Sequence, residues 1–291
     1  DHKKPWMDSC QMTLVNESNI SSAIDACINS YDKFFALDLE TEGLDNRVRY
    51  SGDFGCTNDR IVGVCLASSP TVGWYIPLRH IDPNDSSALH KKNVPYSVFD
   101  KEFRRLIAAV ESGKVSAVFH NAEFDQEFLE YPGCAPYGDW SIPSRWDCTY
   151  ILISLYDSRR KTKGLKSASK EDLGMEMIEL DDLFSEDEKN SPGFKKNFAR
   201  LDLDREEVPW YGCSDGICTY RLRQKYYPLV VHPTSEDKTP NQKSIYMIEK
   251  LCSASTRWMM RNAIGVDRKK VWELITIGQK EWVESVKNVY K

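Results

Sequence analysis

The 291-residue sequence lacks any apolar run approaching the roughly 18 residues that a bilayer-spanning helix requires, so no membrane role is expected. Its start, DHKKPWMDSC, has no apolar leader core and no initiator methionine, and it reads as a cut edge rather than a secretion signal. No CxxC pair with histidine partners occurs among the nine cysteines, whose number is odd. They read as reduced thiols of an intracellular protein (cytoplasm, an organelle or an infected host cell). The five histidines, His2, His80, His90, His120 and His232, lie far apart, so structural zinc is not expected either. A basic excess is also missing. The net charge is −5, from 39 Lys and Arg against 44 Asp and Glu, which gives no footprint of tight duplex binding. That argument weakens where acidic residues gather around divalent cations, because bound metal reverses the local field.

What is present is a chain long enough for one large domain with a small appendage. Phe34 to Leu39 (FFALDL) is apolar enough for a buried central strand and runs into the turn chemistry of TEGLD. IVGVCLAS at 61–68 and VGWYIPL at 72–78 read as two further strands around Ser69-Pro70, completing an antiparallel meander. Phe99, Phe103, Leu106, Ile107 and Val110 recur at helical spacing, and the strand VSAVFH follows at 115–120. From Glu123 onward the pattern turns helical: EFDQEFLE, WDCTYILISLY, SASKEDLGM and 215–226, with a charged loop at 181–197. After the linker HPTSEDKTPNQ, two long helical segments at 244–262 and 267–290 are predicted. Residues 1–235 thus form the expected main domain and 236–291 a helical extension. The class expected is α/β, with helices covering a sheet.

Three acidic clusters lie at the end of an element or on a helix facing where such an end would be. Asp38-Leu39-Glu40 closes the first strand, where alternation puts both carboxylates on one face. Such a pair is costly unless cations neutralise it, and hard oxygen ligands suit Mg²⁺ or Mn²⁺ without choosing between them. Asn121-Ala122-Glu123-Phe124-Asp125 follows a later strand, and Tyr211 and Asp215 stand four apart on one helical face. Four carboxylates and a phenol are the set that two-metal phosphoryl hydrolysis uses, with cations roughly 3.5 to 4 Å apart. Each motif alone also reads as ordinary structure: a solvated turn, or a helix pair. Their order along the chain is what joins them.

The segments DLETEGLD at 38–45, HNAEFD at 120–125 and YGCSD at 211–215 resemble the three exonuclease motifs of the DEDD superfamily, in its tyrosine branch. IVGVCLASSPTVGWYIPLRH, WDCTYILISLY and KGLKSASKEDLGMEMIELDDLF are similar to the proofreading domain of family A DNA polymerases, across about residues 30 to 230. The tail MIEKLCSASTRWMMRNAIGVDRKKVWEL is similar to the start of the polymerase part of such enzymes, yet no palm or fingers motif is present. The resemblance implies a ribonuclease H-like fold with a mixed five-stranded sheet, and 3′-to-5′ removal of nucleotides from a single-stranded or frayed DNA end. It also implies a covalently attached polymerase domain. Asp38, Glu40 and Asp215 would hold one divalent cation, and Asp38 with Asp125 the second. Tyr211, helped by Glu40, would orient the attacking water. Leu44 would wedge against the terminal base, while Thr41 and Asn121 would contact the terminal nucleotide. Leu44 as a packed turn residue and Asn121 as a loop cap are the plainer readings.

The sequence departs from that pattern at Leu39, where many relatives have Thr, and at Gly212 and Gly216, which replace alanines. The glycines are expected to loosen the third-motif helix by roughly 1 kcal/mol each. Two basic runs, Arg159, Arg160, Lys161, Lys163 and Lys166, then Lys195, Lys196 and Arg200, are candidate phosphate contacts or solvated faces. An RNA-trimming enzyme similar to ribonuclease D uses the same five residues. WYIPLRH and NAEFD favour the polymerase relative. A non-catalytic DNA-binding module is a third reading, disfavoured because all five positions are filled.

Overall fold

The computed structural model of the chain describes residues 3–42, 61–130, 136–190, 196–234, 241–262 and 268–289. Leu44 lies outside them. In chain order the elements are β1 (Gln11–Leu14), α1 (Ile20–Ile28), β2 (Phe34–Thr41), β3 (Ile61–Ser69), β4 (Val72–Pro77), β5 (Ile81–Asp82), β6 (Asp85–Leu89), α2 (Tyr96–Glu111) and β7 (Ser116–Phe119). There follow α3 (Ala122–Glu130), β8 (Trp146–Cys148), α4 (Thr149–Tyr156), α5 (Leu165–Leu173), α6 (Glu186–Lys189), α7 (Glu207–Val231), α8 (Lys243–Asn262) and α9 (Arg268–Val289). Two compact units are present: Asp1–Arg257, which holds the sheet, and Trp258–Lys291, which holds α9.

The main sheet has the order β1-β4-β3-β2-β7-β8. β2, β3 and β4 form the antiparallel meander read from the sequence, while β7 returns parallel to β2 after α2 crosses over. β8 is parallel to β7 and β1 parallel to β4, so the sheet is mixed. It has six strands rather than the expected five. The N-terminal edge strand β1 is only partly buried, which leaves it little apolar alternation to detect. β8 is a second correction: residues 146–148 were expected to be helical, but they form a fully buried strand, and α4 begins directly at Thr149. No Gly or Pro separates the two, so the boundary had no turn signal.

Strand parity decides what each face of the sheet carries. Phe35, Leu37 and Leu39 point into the core that includes Ile20, Ile24, Phe99 and Phe103 of α1 and α2. Phe34 and Ala36 point to the other face, into a cluster with Ile217, Cys218 and Tyr220 of α7. Asp38 and Glu40 continue that second row at the strand's C-terminal end. One eight-residue strand therefore packs both layers and delivers two carboxylates to the α7 side.

Behind the sheet's β8 edge lies a buried charge cluster. Asp147 accepts hydrogen bonds from Arg223 Nε (3.2 Å) and Nη2 (3.1 Å), Lys250 Nζ (3.3 Å) and Tyr246 Oη (3.0 Å). Lys250 and Arg257 of α8 are each only 3% exposed, and Arg257 pairs with Glu130 at 3.2 Å. Removing one partner of such a network strands the others in a poorly solvated site. Asp147→Ala is accordingly expected to lower unfolding free energy by about 3 kcal/mol or more, measured by urea denaturation. Lys250→Met, which leaves Asp147 paired with Arg223, should cost less.

Candidate metal centre

The first two motifs are joined by a backbone contact. The amide of Leu39, between Asp38 and Glu40, donates to Asp125 Oδ1 at 3.0 Å. Asp125 sits on the first turns of α3 and is 1% exposed. Asn121 just before it has φ +64°, a left-handed conformation that Asn tolerates better than most residues, and it turns the chain from β7 into α3. The third motif lies within the 25-residue α7, with Tyr211 8% and Asp215 6% exposed.

The electrostatics show how closely these groups stand. Burial, then the charges of Asp215 and Asp38, hold the Glu40 carboxyl well above its ordinary range. Burial and Asp38 do the same to Asp215, and burial and Asp38 to Asp125, against the opposing Leu39 amide. Asp38 is raised chiefly by burial. Four carboxylates buried together, all with raised proton affinity, form a site that favours added positive charge. Asp215 Oδ1 is buried with no hydrogen-bond partner among the described residues. An all-oxygen donor set with an unsatisfied buried carboxylate oxygen fits a hard divalent cation.

Tyr211 packs on Phe198, ring centroids 5.4 Å apart. Burial, then Asp215, Glu40 and Asp38, raise its phenol far above the ordinary value, so it stays protonated and acts as a hydrogen-bonding group. Sequence reasoning missed Cys65. It pairs with Asp38 across β2 and β3, and its Sγ lies within 4.8 Å of ligand atoms of Asp38 and Glu40. Burial, Glu40 and Asp38 hold its thiol protonated, so it is a packing group rather than a hard-metal ligand. The ladder position of Asp38 was the signal that could have found it.

The glycines of the third motif have a different role from the expected loosening. A Cβ on Gly212 would lie 2.6 Å from Tyr75 Cδ2 and 3.0 Å from Cys65 Sγ; one on Gly216 would meet the Leu66 carbonyl carbon at 3.1 Å. They let α7 lie directly on the sheet. Tyr75 has little freedom to yield: its hydroxyl donates to His80 Nε2 at 2.6 Å, and His80 Nδ1 donates to the Leu201 carbonyl at 2.8 Å. Burial keeps His80 neutral by lowering its pKa to about 4.

Of the candidates for contact with a terminal nucleotide, Thr41 and Asn121 fall among the described residues. Thr41 follows a register shift at the end of β2, and Asn121 lines a 240 Å³ cavity with Tyr150 and Ser253. The basic runs are partly engaged within the protein: Arg160 pairs with Glu171 and Asp172, Lys166 with Glu179, and Lys196 with Asp181. No helix among the described residues is long and apolar enough to cross a membrane.

This geometry can be set beside known proteins. No family model matches the chain. The DNA polymerase of Escherichia phage T5 is 28% identical over 178 residues, which is 60% of this chain and 19% of that polymerase. The chain thus matches about a fifth of its relative's length. Among solved structures, Brucella melitensis NrnC superposes with a TM-score of 0.50 at 17% identity, covering 82% of this chain and 92% of that one. The fold is ribonuclease H-like. The EXO domain of Aedes aegypti Nibbler gives a TM-score of 0.49 at 12% identity, over 82% of this chain and 94% of its own.

Two expectations follow. Groups whose folded-state carboxyls are raised add stability below the ordinary carboxylate range, and that stability is lost as pH rises through their folded values. Divalent cations compete with those protons. The gain in melting temperature on adding Mg²⁺ or Mn²⁺ should therefore be larger at about pH 8 than at about pH 5. The difference with and without metal cancels the opposite acid-side effect of buried His80 and His120, both lowered to about 4. Gly212→Ala should destabilise by about 1 to 3 kcal/mol in chemical denaturation, where mere loosening by glycine would have made alanine stabilising.

Proposed function

We propose that the chain is a metal-dependent 3′-to-5′ exonuclease acting on DNA ends, the proofreading module of a DNA polymerase. The observation that carries this reading is the meeting of Asp38, Glu40, Asp125 and Asp215 beside a protonated Tyr211, with one Asp215 oxygen unsatisfied. The sequence likeness to a phage DNA polymerase supports DNA as the substrate. Residues 1–235 would carry the exonuclease and 236–291 the helical extension leading toward the polymerase part.

Two divalent cations, when bound, supply charge neutralisation at the scissile phosphate and acidify the attacking water. Asp38, Glu40 and Asp215 would hold one and Asp38 with Asp125 the other. Tyr211 and Glu40 orient a water by hydrogen bonds toward phosphorus. The water oxygen forms the new P–O bond and gives up a proton to solvent, the bond to the 3′ oxygen of the preceding nucleotide breaks, and that oxygen takes a proton from solvent. A 5′-mononucleotide leaves. Asn121 and Thr41 would contact the terminal nucleotide, and Leu44 would wedge against its base.

The test is single-turnover digestion of a 5′-labelled DNA strand and a matched RNA strand with Mg²⁺ or Mn²⁺, beside an EDTA control. A metal-dependent ladder shortening from the 3′ end of DNA is expected. Asp38→Ala should slow it by about 10³-fold with the fold unchanged by circular dichroism, and Tyr211→Phe by about 10- to 100-fold, the worth of one hydrogen bond to a charged partner. A clear preference for RNA would move the reading to a ribonuclease D-like enzyme. Unchanged cleavage by Asp38→Ala would overturn the site.

A further inference from the structure

Lys166, the second residue of α5, is not part of the four-carboxylate set, but its ammonium borders it. Nζ lies over the Tyr211 ring, 5.0 Å from the centroid. It is 2.9 Å from Glu179 Oε2, in a pair whose side chains are 30% and 63% exposed. Such a pair is weakly held. Lys166 also acts on Glu40 and on Asp215, lowering the proton affinity of each, while Glu179 raises that of Asp215. It therefore stands within electrostatic reach of two carboxylates from different motifs and in contact with the Tyr211 ring.

We propose that Lys166 is a positioning residue of this centre: its ammonium pins the Tyr211 ring by a cation–π contact and supplies part of the positive charge that the carboxylates require, so that it sets both metal affinity and the orientation of Tyr211. Glu179 tethers it and offsets part of its field at Asp215. The inference rests on the nuclease reading for its kinetic half, while its electrostatic half stands on the carboxylate cluster alone.

The two halves give opposite signs, which a merely structural lysine would not. Removing a cation beside the carboxylates favours divalent cations, so Lys166→Met should bind Mn²⁺ about 3- to 10-fold more tightly, measured by calorimetry or by electron paramagnetic resonance of free Mn²⁺. Loss of the contact on Tyr211 should at the same time slow single-turnover DNA cleavage at saturating metal by about 10-fold. Lys166→Arg, which keeps charge and ring contact, should restore both. Glu179→Gln, which frees the lysine charge, should weaken Mn²⁺ binding. Mn²⁺ affinity unchanged or reduced in Lys166→Met overturns the proposal, as does tighter Mn²⁺ binding with an unchanged cleavage rate. Should the parent protein bind Mn²⁺ but cut no DNA while the affinity shifts still appear, the nuclease reading fails and the electrostatic assignment of Lys166 holds.

Discussion

Mutual repulsion among four carboxylates is the constraint around which the rest of this structure is arranged. Asp38, Glu40, Asp125 and Asp215 come from a strand and two helices; Asp38 raises the proton affinity of the other three, and Asp125 and Asp215 raise that of Glu40 as well. Left alone, such a cluster would drive its elements apart. The fold opposes this with ordinary packing at a distance. Alternation along β2 commits Phe35, Leu37 and Leu39 to one core and Phe34 and Ala36 to another, so the strand cannot slide without exposing one of them. The Leu39 amide then gives Asp125 one fixed hydrogen bond that favours its charged form.

Close approach is the second element of the design. α7 lies against the sheet through Gly212 and Gly216, and the Tyr75 ring that faces Gly212 is held by His80 and the Leu201 carbonyl. Without that proximity Asp215 could not share a site with Asp38. A protonated Tyr211 and the bordering Lys166 add hydrogen-bonding capacity and positive charge without adding another anion. Far from this centre, Asp147 binds Arg223 of α7 and Lys250 of α8, so the far half of α7 is anchored by a buried charge network of its own.

Much of this was legible in the residues. The meander, the α2 crossover and the helical identity of the third motif follow from periods of 2 and 3.6, which local apolar patterning records directly. The gathering of Asp38, Glu40, Asp125, Tyr211 and Asp215 could be expected because their types and order match a known pattern. β1 and β8 were not, since four partly buried residues and three residues running straight into a helix carry too little pattern. The meaning of Gly212 was misjudged for a related reason: a glycine's helix propensity is local, but the ring it accommodates belongs to a strand more than a hundred residues away.

By itself, then, the sequence determined the α/β class, the strand-end placement of Asp38 and Glu40, and the (i, i+4) pairing of Tyr211 with Asp215, all of which depend on neighbours within one element. Only the tertiary structure decided that the Leu39 amide meets Asp125, that Cys65 lies across from Asp38, and that Lys166 stands over Tyr211. Those contacts join residues separated by tens of positions, and their distances are set by how closely packed layers approach, a quantity no local pattern encodes.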